Sequence, residues 1–146
     1  MQKLLPPLLF VILAATNVAL ETILPEPRLP EPFQHLGWPL MAIGALLLIT
    51  ARVQFSKAKT NIYTFDEPGV MLTTGVFAIS RNPMYLGFTL MLAGIALWQS
   101  SWVGIPVVLA FLICCDRWYI RHEELRMMQK FGQRFLDYKN RTRRWL

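Results

Sequence analysis

The sequence predicts an all-α integral membrane protein with about four transmembrane helices and a C-terminal amphipathic helix at the cytoplasmic face. Three observations carry that reading. Hydrophobic residues make up 54% of the 146-residue chain, with a mean hydropathy of +0.37, against about 45–50% apolar in average soluble domains even with glycine counted. Charged residues are 16% of the total, where roughly 25% is usual, and they cluster so that long apolar runs lie between them. The basic excess, a net charge of +6, sits mostly at the C-terminus beside apolar sequence. That placement favours a membrane face over nucleic acid as the partner.

A chain of this length supports one domain, divided into two N-terminal apolar segments (residues 1–55), a connector (56–83) and a helical hairpin with a C-terminal helix (84–146). The first apolar segment, residues 4–24, is long enough at ~1.5 Å per residue to cross a ~30 Å hydrocarbon core. Pro6 and Pro7 stand at its start, where a missing N–H does least harm. Asn17 and Glu21 share a face, with Glu21 read as interfacial. No small-residue cleavage site follows the run, so it reads as a span rather than a cleaved leader. The spaced prolines of Pro25-Glu26-Pro27-Arg28-Leu29-Pro30-Glu31-Pro32 forbid helix and predict an extended surface loop.

The second apolar segment, residues 36–55, has Trp38 as an interfacial anchor. Gly37, Gly44 and Ala45 offer small surfaces for a neighbouring helix, and Arg52 marks the far end. The connector from 56 to 80 holds Lys57, Lys59, Thr60, Asn61, Asp66 and Glu67, with short extended structure expected around 70–77. Residues 84–98 form a third, shorter segment, and Gln99-Ser100-Ser101 a tight polar break. The fourth runs over 102–115 and continues with helical spacing through Asp116, Arg117, Tyr119 and Glu123. Residues 121–146 read as one amphipathic helix with a basic tail, carrying Leu125, Met128, Gly132 and Phe135 on one stripe and Arg126, Lys130, Arg134 and Lys139 opposite. The bias of Lys and Arg places both termini and the connector in the cytoplasm. Cys114 and Cys115, adjacent within an apolar run, suit neither a metal site nor a disulfide and read as core residues.

The chain is organised around Ser80-Arg81-Asn82-Pro83-Met84-Tyr85-Leu86-Gly87. Asn is a favoured N-cap and Pro a favoured first helical residue, so a helix starts here, where an apolar segment meets water. The hairpin of the third and fourth segments returns Arg81, Asn82 and Tyr85 to the side of Glu123 and Glu124. Adjacent carboxylates on a helix point about 100° apart, so one faces inward while its neighbour meets the rim. Two readings of the cluster stand side by side. One is an ordinary interfacial charge pair, Arg81 neutralising a glutamate. The other is a pocket for a polar, amino-bearing cofactor, with the carboxylates accepting from its ammonium or hydroxyl groups.

The stretch Gly75-Val76-Phe77-Ala78-Ile79-Ser80-Arg81-Asn82-Pro83-Met84-Tyr85-Leu86-Gly87 resembles the Arg-His/Asn-Pro-x-Tyr-hydrophobic-Gly signature of the isoprenylcysteine carboxyl methyltransferase-like family, whose motifs are related to those of phospholipid N-methyltransferases. Its second element, a Glu-Glu-Leu followed by Phe-Gly-x-x-Tyr/Phe-x-x-Tyr, is matched by Glu123-Glu124-Leu125 and Phe131-Gly132-Gln133-Arg134-Phe135-Leu136-Asp137-Tyr138. The ending Arg143-Arg144-Trp145-Leu146 looks like that of bacterial members. The resemblance covers roughly residue 57 to the C-terminus. Ala78 stands where an arginine is often found, and Asn82 where many relatives carry histidine.

The resemblance implies methyl transfer from S-adenosylmethionine to a lipophilic small molecule or lipid, in a bacterial inner membrane with the active site facing the cytoplasm. By position, Arg81, Asn82, Pro83, Tyr85 and Gly87 shape the cofactor pocket and Glu123 and Glu124 hold its polar groups; no metal is implied. Tyr85, Trp118 and Tyr119 are the rings available to a cationic donor. His122 is a candidate base beside the glutamates, Thr60 and Asn61 candidate closing residues, and His35, in the opposite-side loop, has no assigned role. Two alternatives remain. Membrane sterol reductases carry similar motifs near their C-termini and bind NADPH, although this chain is short for one. A non-enzymatic membrane subunit with a lipid-binding tail would leave Arg81, Asn82 and Glu123 dispensable.

Overall fold

A computed structural model describes residues 5–24, 28–58 and 69–146, and all regular structure among them is helical. The helices are α1 (Pro6–Ile23), α2 (Pro32–Lys57), α3 (Val76–Ile79), α4 (Pro83–Trp98), α5 (Gly104–Cys114), a π segment (Cys115–Ile120), α6 (Arg121–Phe131) and α7 (Gln133–Arg141). Thr60 and Asn61 lie outside the described residues, as do Lys59, Asp66 and Glu67. Proline opens three of the helices: Pro6, Pro32 and Pro83 each occupy the first turn, where the ring costs no hydrogen bond and pre-sets φ.

By length and composition, α1 and α2 are apolar enough to cross a membrane, and α4 is a shorter apolar helix. The 26 residues of α2 extend about 39 Å. The 11 of α5 extend only about 17 Å, but α5, the π segment and α6 run on without a break from residue 104 to 131. Large side chains turned outward are apolar: Leu46, Ile49 and Ile113 are each 61% exposed. A soluble surface avoids contiguous patches of that kind, whereas lipid-facing helices require them. The core is built where α1, α4, α5 and the π segment meet, around Leu92, Phe111, Cys115 and Ile120, all fully buried. Phe10 of α1 packs on Phe88 with ring centroids 4.9 Å apart.

The tightest junction lies between α2 and α4. Gly44 faces the Gly87 carbonyl and Gly37 the Gly94 carbonyl, and a Cβ on Gly44 would lie 2.6 Å from that oxygen. Glycines seven residues apart on each helix therefore bring two antiparallel backbones into contact. At the end of this pair Trp38 meets Trp98 edge-on, 5.8 Å between centroids.

Three sequence expectations are corrected. The region expected to be extended instead contains a single helical turn, α3, with no strand among the described residues; four consecutive apolar residues do not distinguish the two by periodicity. His35 lies within α2, not in the loop before it. The stretch from 121 is not one helix: Gly132, at φ +51°, separates α6 from α7, a left-handed geometry that glycine adopts without a Cβ penalty. The break turns α7 inward. Phe135 and Tyr138 are buried, while Leu125, expected on the same stripe, is 57% exposed.

Candidate active site

The helix start at Asn82-Pro83 is in the expected place, but its cap works differently. The Asn82 backbone carbonyl accepts from the Leu86 N–H at 3.0 Å, the first bond of α4. Its side chain makes no cap. The Asn82 Nδ2 donates instead to the Arg144 carbonyl at 2.9 Å. Ser80 Oγ accepts from the Asn82 N–H at 3.1 Å and donates to that same carbonyl at 3.3 Å. The Arg81 N–H donates to the Arg143 carbonyl at 3.0 Å. The segment before α4 is thus paired with the last residues of the chain.

Side chains complete the junction. Arg81 Nη2 donates to Glu124 Oε1 at 2.7 Å, with side chains 8% and 13% exposed. Its Nη1 donates to the carbonyls of Lys139, at 3.1 Å, and Thr142. Arg144 forks onto Glu124, Nη2 to Oε2 at 2.6 Å and Nε to Oε1 at 3.1 Å, and its Nη1 reaches Asp116 Oδ1 at 3.0 Å. The Trp145 indole N–H donates to that same Asp116 oxygen at 3.2 Å. Burial raises the pKa of the Glu124 carboxyl, but the hydrogen bonds from Arg144 and Arg81 outweigh it and hold the group below its usual range. The carboxylate in turn raises the Arg144 pKa, so both stay charged.

The adjacent glutamates therefore have different surroundings. Glu124 is engaged by two guanidinium groups. Glu123 accepts from the Tyr85 hydroxyl at 2.7 Å. Both border a cavity of about 320 Å³, at the small end of the ~300–1,000 Å³ typical of ligand sites. Its polar lining is formed by Arg52, Arg81, Asn82, Tyr85, Glu123, Glu124, Arg126 and Tyr138. Opposite are Leu5, Pro6 and Pro7 at the start of α1, Phe55 of α2, and Val70 and Leu72 before α3. Tyr138 donates to the Phe77 carbonyl at 2.6 Å, and burial pushes its pKa up to about 12, which keeps it a protonated donor.

Of the residues singled out from the sequence, Arg81, Asn82, Pro83, Tyr85, Glu123 and Glu124 line this one cavity. Gly87 does not line it. One helical turn further along α4, it lies against the Gly44 carbonyl and Leu48 of α2, and serves the helix contact. Among the three rings considered for a cation, only Tyr85 is on the wall. Tyr119 is stacked behind it, 6.2 Å between centroids, and Trp118 points outward, 72% exposed. His122 is not among the lining residues. Sequence reasoning missed Arg144, Asp116 and Trp145 as parts of the site. Arg144 meets Asp116 and Ser80 across 28 and 64 residues of chain, which no local spacing reveals.

Comparison with known proteins places these elements among membrane methyltransferases. Residues 33–134 match the family model for phospholipid methyltransferases. The chain is 25% identical over 113 residues to protein-S-isoprenylcysteine O-methyltransferase B of Arabidopsis thaliana, covering 74% of this chain and 56% of that protein. It is 32% identical over 81 residues to phosphatidyl-N-methylethanolamine N-methyltransferase of Saccharomyces cerevisiae, covering 53% and 38%. An uncharacterised protein of Haemophilus influenzae is 35% identical over 66 residues, 43% of this chain and all of that one. The chain spans about half or less of the length of the two named enzymes. No solved structure matches.

Proposed function

The chain belongs to the phospholipid methyltransferase family, and from that premise we propose that it transfers a methyl group from S-adenosylmethionine to a lipophilic acceptor at the cytoplasmic edge of a bacterial inner membrane. Four crossings, by α1, α2, α4 and the α5–π helix, put both termini and the cavity on that side, in keeping with the positive-inside bias. The observation that carries the proposal is the different surroundings of the two glutamates on the cavity wall: two arginines hold Glu124, while Glu123 accepts from the Tyr85 hydroxyl.

That wall fits the donor. A carboxylate accepts from an ammonium or from ribose hydroxyls, the Tyr85 ring offers its face to positive charge, and Phe55, Phe77 and Met127 supply apolar surface. When bound, the donor supplies an electrophilic methyl on a sulfonium, open to in-line displacement with loss of the positive charge. The protein's part is alignment and exclusion of water. Arg81, Asn82 and Tyr85 are all held by buried or half-buried bonds, so the wall is ordered before a ligand arrives.

Cavity size also bears on the acceptor. About 320 Å³ leaves no room for acyl or prenyl chains beside a nucleoside donor, so those chains remain in the bilayer. The side toward α1 is apolar, which suits lateral entry, while α2 contributes Phe55 and the charged Arg52. An isoprenylcysteine carboxylate or a lipid headgroup meets that description equally. A carboxylate needs no base, whereas an amine must first lose its proton.

The test is calorimetric titration of the detergent-purified protein with S-adenosylhomocysteine. Wild type is expected to bind, and Glu123→Gln to bind at least tenfold more weakly, the loss of one charge-assisted hydrogen bond being worth about 1.5–3 kcal/mol. Failure of the wild type to bind the nucleoside would remove the proposal.

A further inference from the structure

The last five residues, 142–146, form no helix, yet they hydrogen-bond both to Arg81 and Asn82 and to Asp116 and Glu124. We infer that Arg144 is a positioning residue for donor binding, the centre of a C-terminal strap that fixes the cavity wall. This rests on the donor reading above. The strap binds the two halves of the site at once. Toward the α4 side, the carbonyls of Thr142, Arg143 and Arg144 accept from Arg81 and Asn82. Toward the α6 side, the Arg144 guanidinium holds both oxygens of Glu124, and together with the Trp145 indole it holds Asp116. Trp145 also packs against the core cluster.

Arg81 binds Glu124 directly at 2.7 Å, but through a single nitrogen and to Oε1 alone. The other oxygen, Oε2, is held by Arg144 at 2.6 Å, with Lys139 at 4.0 Å the next cation. With Arg144 removed, Glu124 becomes a half-paired carboxylate on the cavity wall. It is then able to draw Arg81 away from the Thr142 carbonyl, or to compete with Glu123 for a cationic ligand. By holding both oxygens of Glu124, Arg144 limits how far that carboxylate competes with Glu123 for a ligand, without lining the cavity itself. Its planar fork suits this role, since three donors reach two acidic side chains on one helix, and a lysine presents a single point charge.

The experiment compares S-adenosylhomocysteine affinity and melting temperature for wild type, Arg144→Ala and Arg144→Lys in the same detergent. Arg144→Ala is expected to weaken the nucleoside at least tenfold, with Arg144→Lys recovering part of that loss. Affinity should follow the geometry of the fork, and not the melting temperature: Trp98→Ala, which removes the ring contact with Trp38 at the end of α4 away from the cavity, lowers the melting temperature with at most a twofold change in affinity. If Arg144→Ala does not fold, Arg144→Lys decides, with a loss of at least threefold expected. Wild-type affinity in every folded Arg144 variant would overturn the inference and leave the donor reading intact. Absence of binding by wild type would sink the donor reading and this inference with it.

Discussion

Glu124→Ala should destabilise the protein by about 3 kcal/mol, the lower end of the ~3–5 found when one partner of a buried ion pair is removed. The lower end applies because Arg144 is 33% exposed and solvent screens part of its charge. What remains after the substitution is the costly part: Arg81, with a side chain 8% exposed, loses its carboxylate. Thermal unfolding in detergent should register this as a fall of roughly 10 °C for a chain of this size. The same pair predicts an acid limb. The folded-state pKa of Glu124 lies below its ordinary value of 4.5, so its stabilisation is fully present above that value and is lost as the pH falls through the folded one. Wild type should therefore lose melting temperature below about pH 4.5, and Glu124→Gln should lack that component. Equal acid sensitivity in the two proteins would show that the carboxylate is not held as described.

Gly44→Leu is expected to prevent a stable fold altogether. Any side chain at 44 must displace the Gly87 carbonyl, 2.6 Å from an added Cβ, and Met91 Cγ, 2.7 Å away. A flexible side chain can give way; the backbone of α4 cannot without moving the whole helix, and α4 carries Pro83 and Tyr85 into the cavity. Overpacking of this kind usually costs about 1–3 kcal/mol and more where backbone is involved. Gly44→Ala should melt several degrees below wild type, and Gly44→Leu should yield no monodisperse protein on size exclusion. Leu46→Ala, on the exposed face of the same helix, is the control and should behave as wild type. A well-folded Gly44→Leu protein would mean that α2 and α4 do not touch there.

Features written in local sequence were legible, and long-range ones were not. Proline and asparagine at 82–83 located the start of α4 to the residue, and apolar run length found α1, α2 and α4 within a few residues. The pairing of Arg81 with Glu124 follows from a short hairpin and was readable as one of two options. Which glutamate two arginines hold was not readable, because that depends on Arg144 arriving from the far end of the chain. Gly132 was visible as a glycine in an amphipathic stripe, but continuous periodicity on both sides hid the break. Cofactor motifs and packing motifs also overlap in sequence: Gly87 belongs to the same signature as Tyr85, yet it faces another helix.

The π segment Cys115–Ile120 has a consequence for how this chain tolerates change in length. In regular α geometry Asp116 and Glu124, eight residues apart, would point about 80° away from each other. A wider π turn absorbs roughly one residue, which brings the two to within ~20° of a common line and lets one guanidinium span both. Deleting a single residue from this segment would restore ordinary winding at the same angular phase, since about seven residues at ~100° each again leave the two within ~20° of a common line. A further insertion, with no second wide turn to absorb it, would swing Glu123 and Glu124 by ~100° away from Tyr85 and Arg81. The chain therefore tolerates the loss of one residue between Asp116 and Glu124 better than the gain of one.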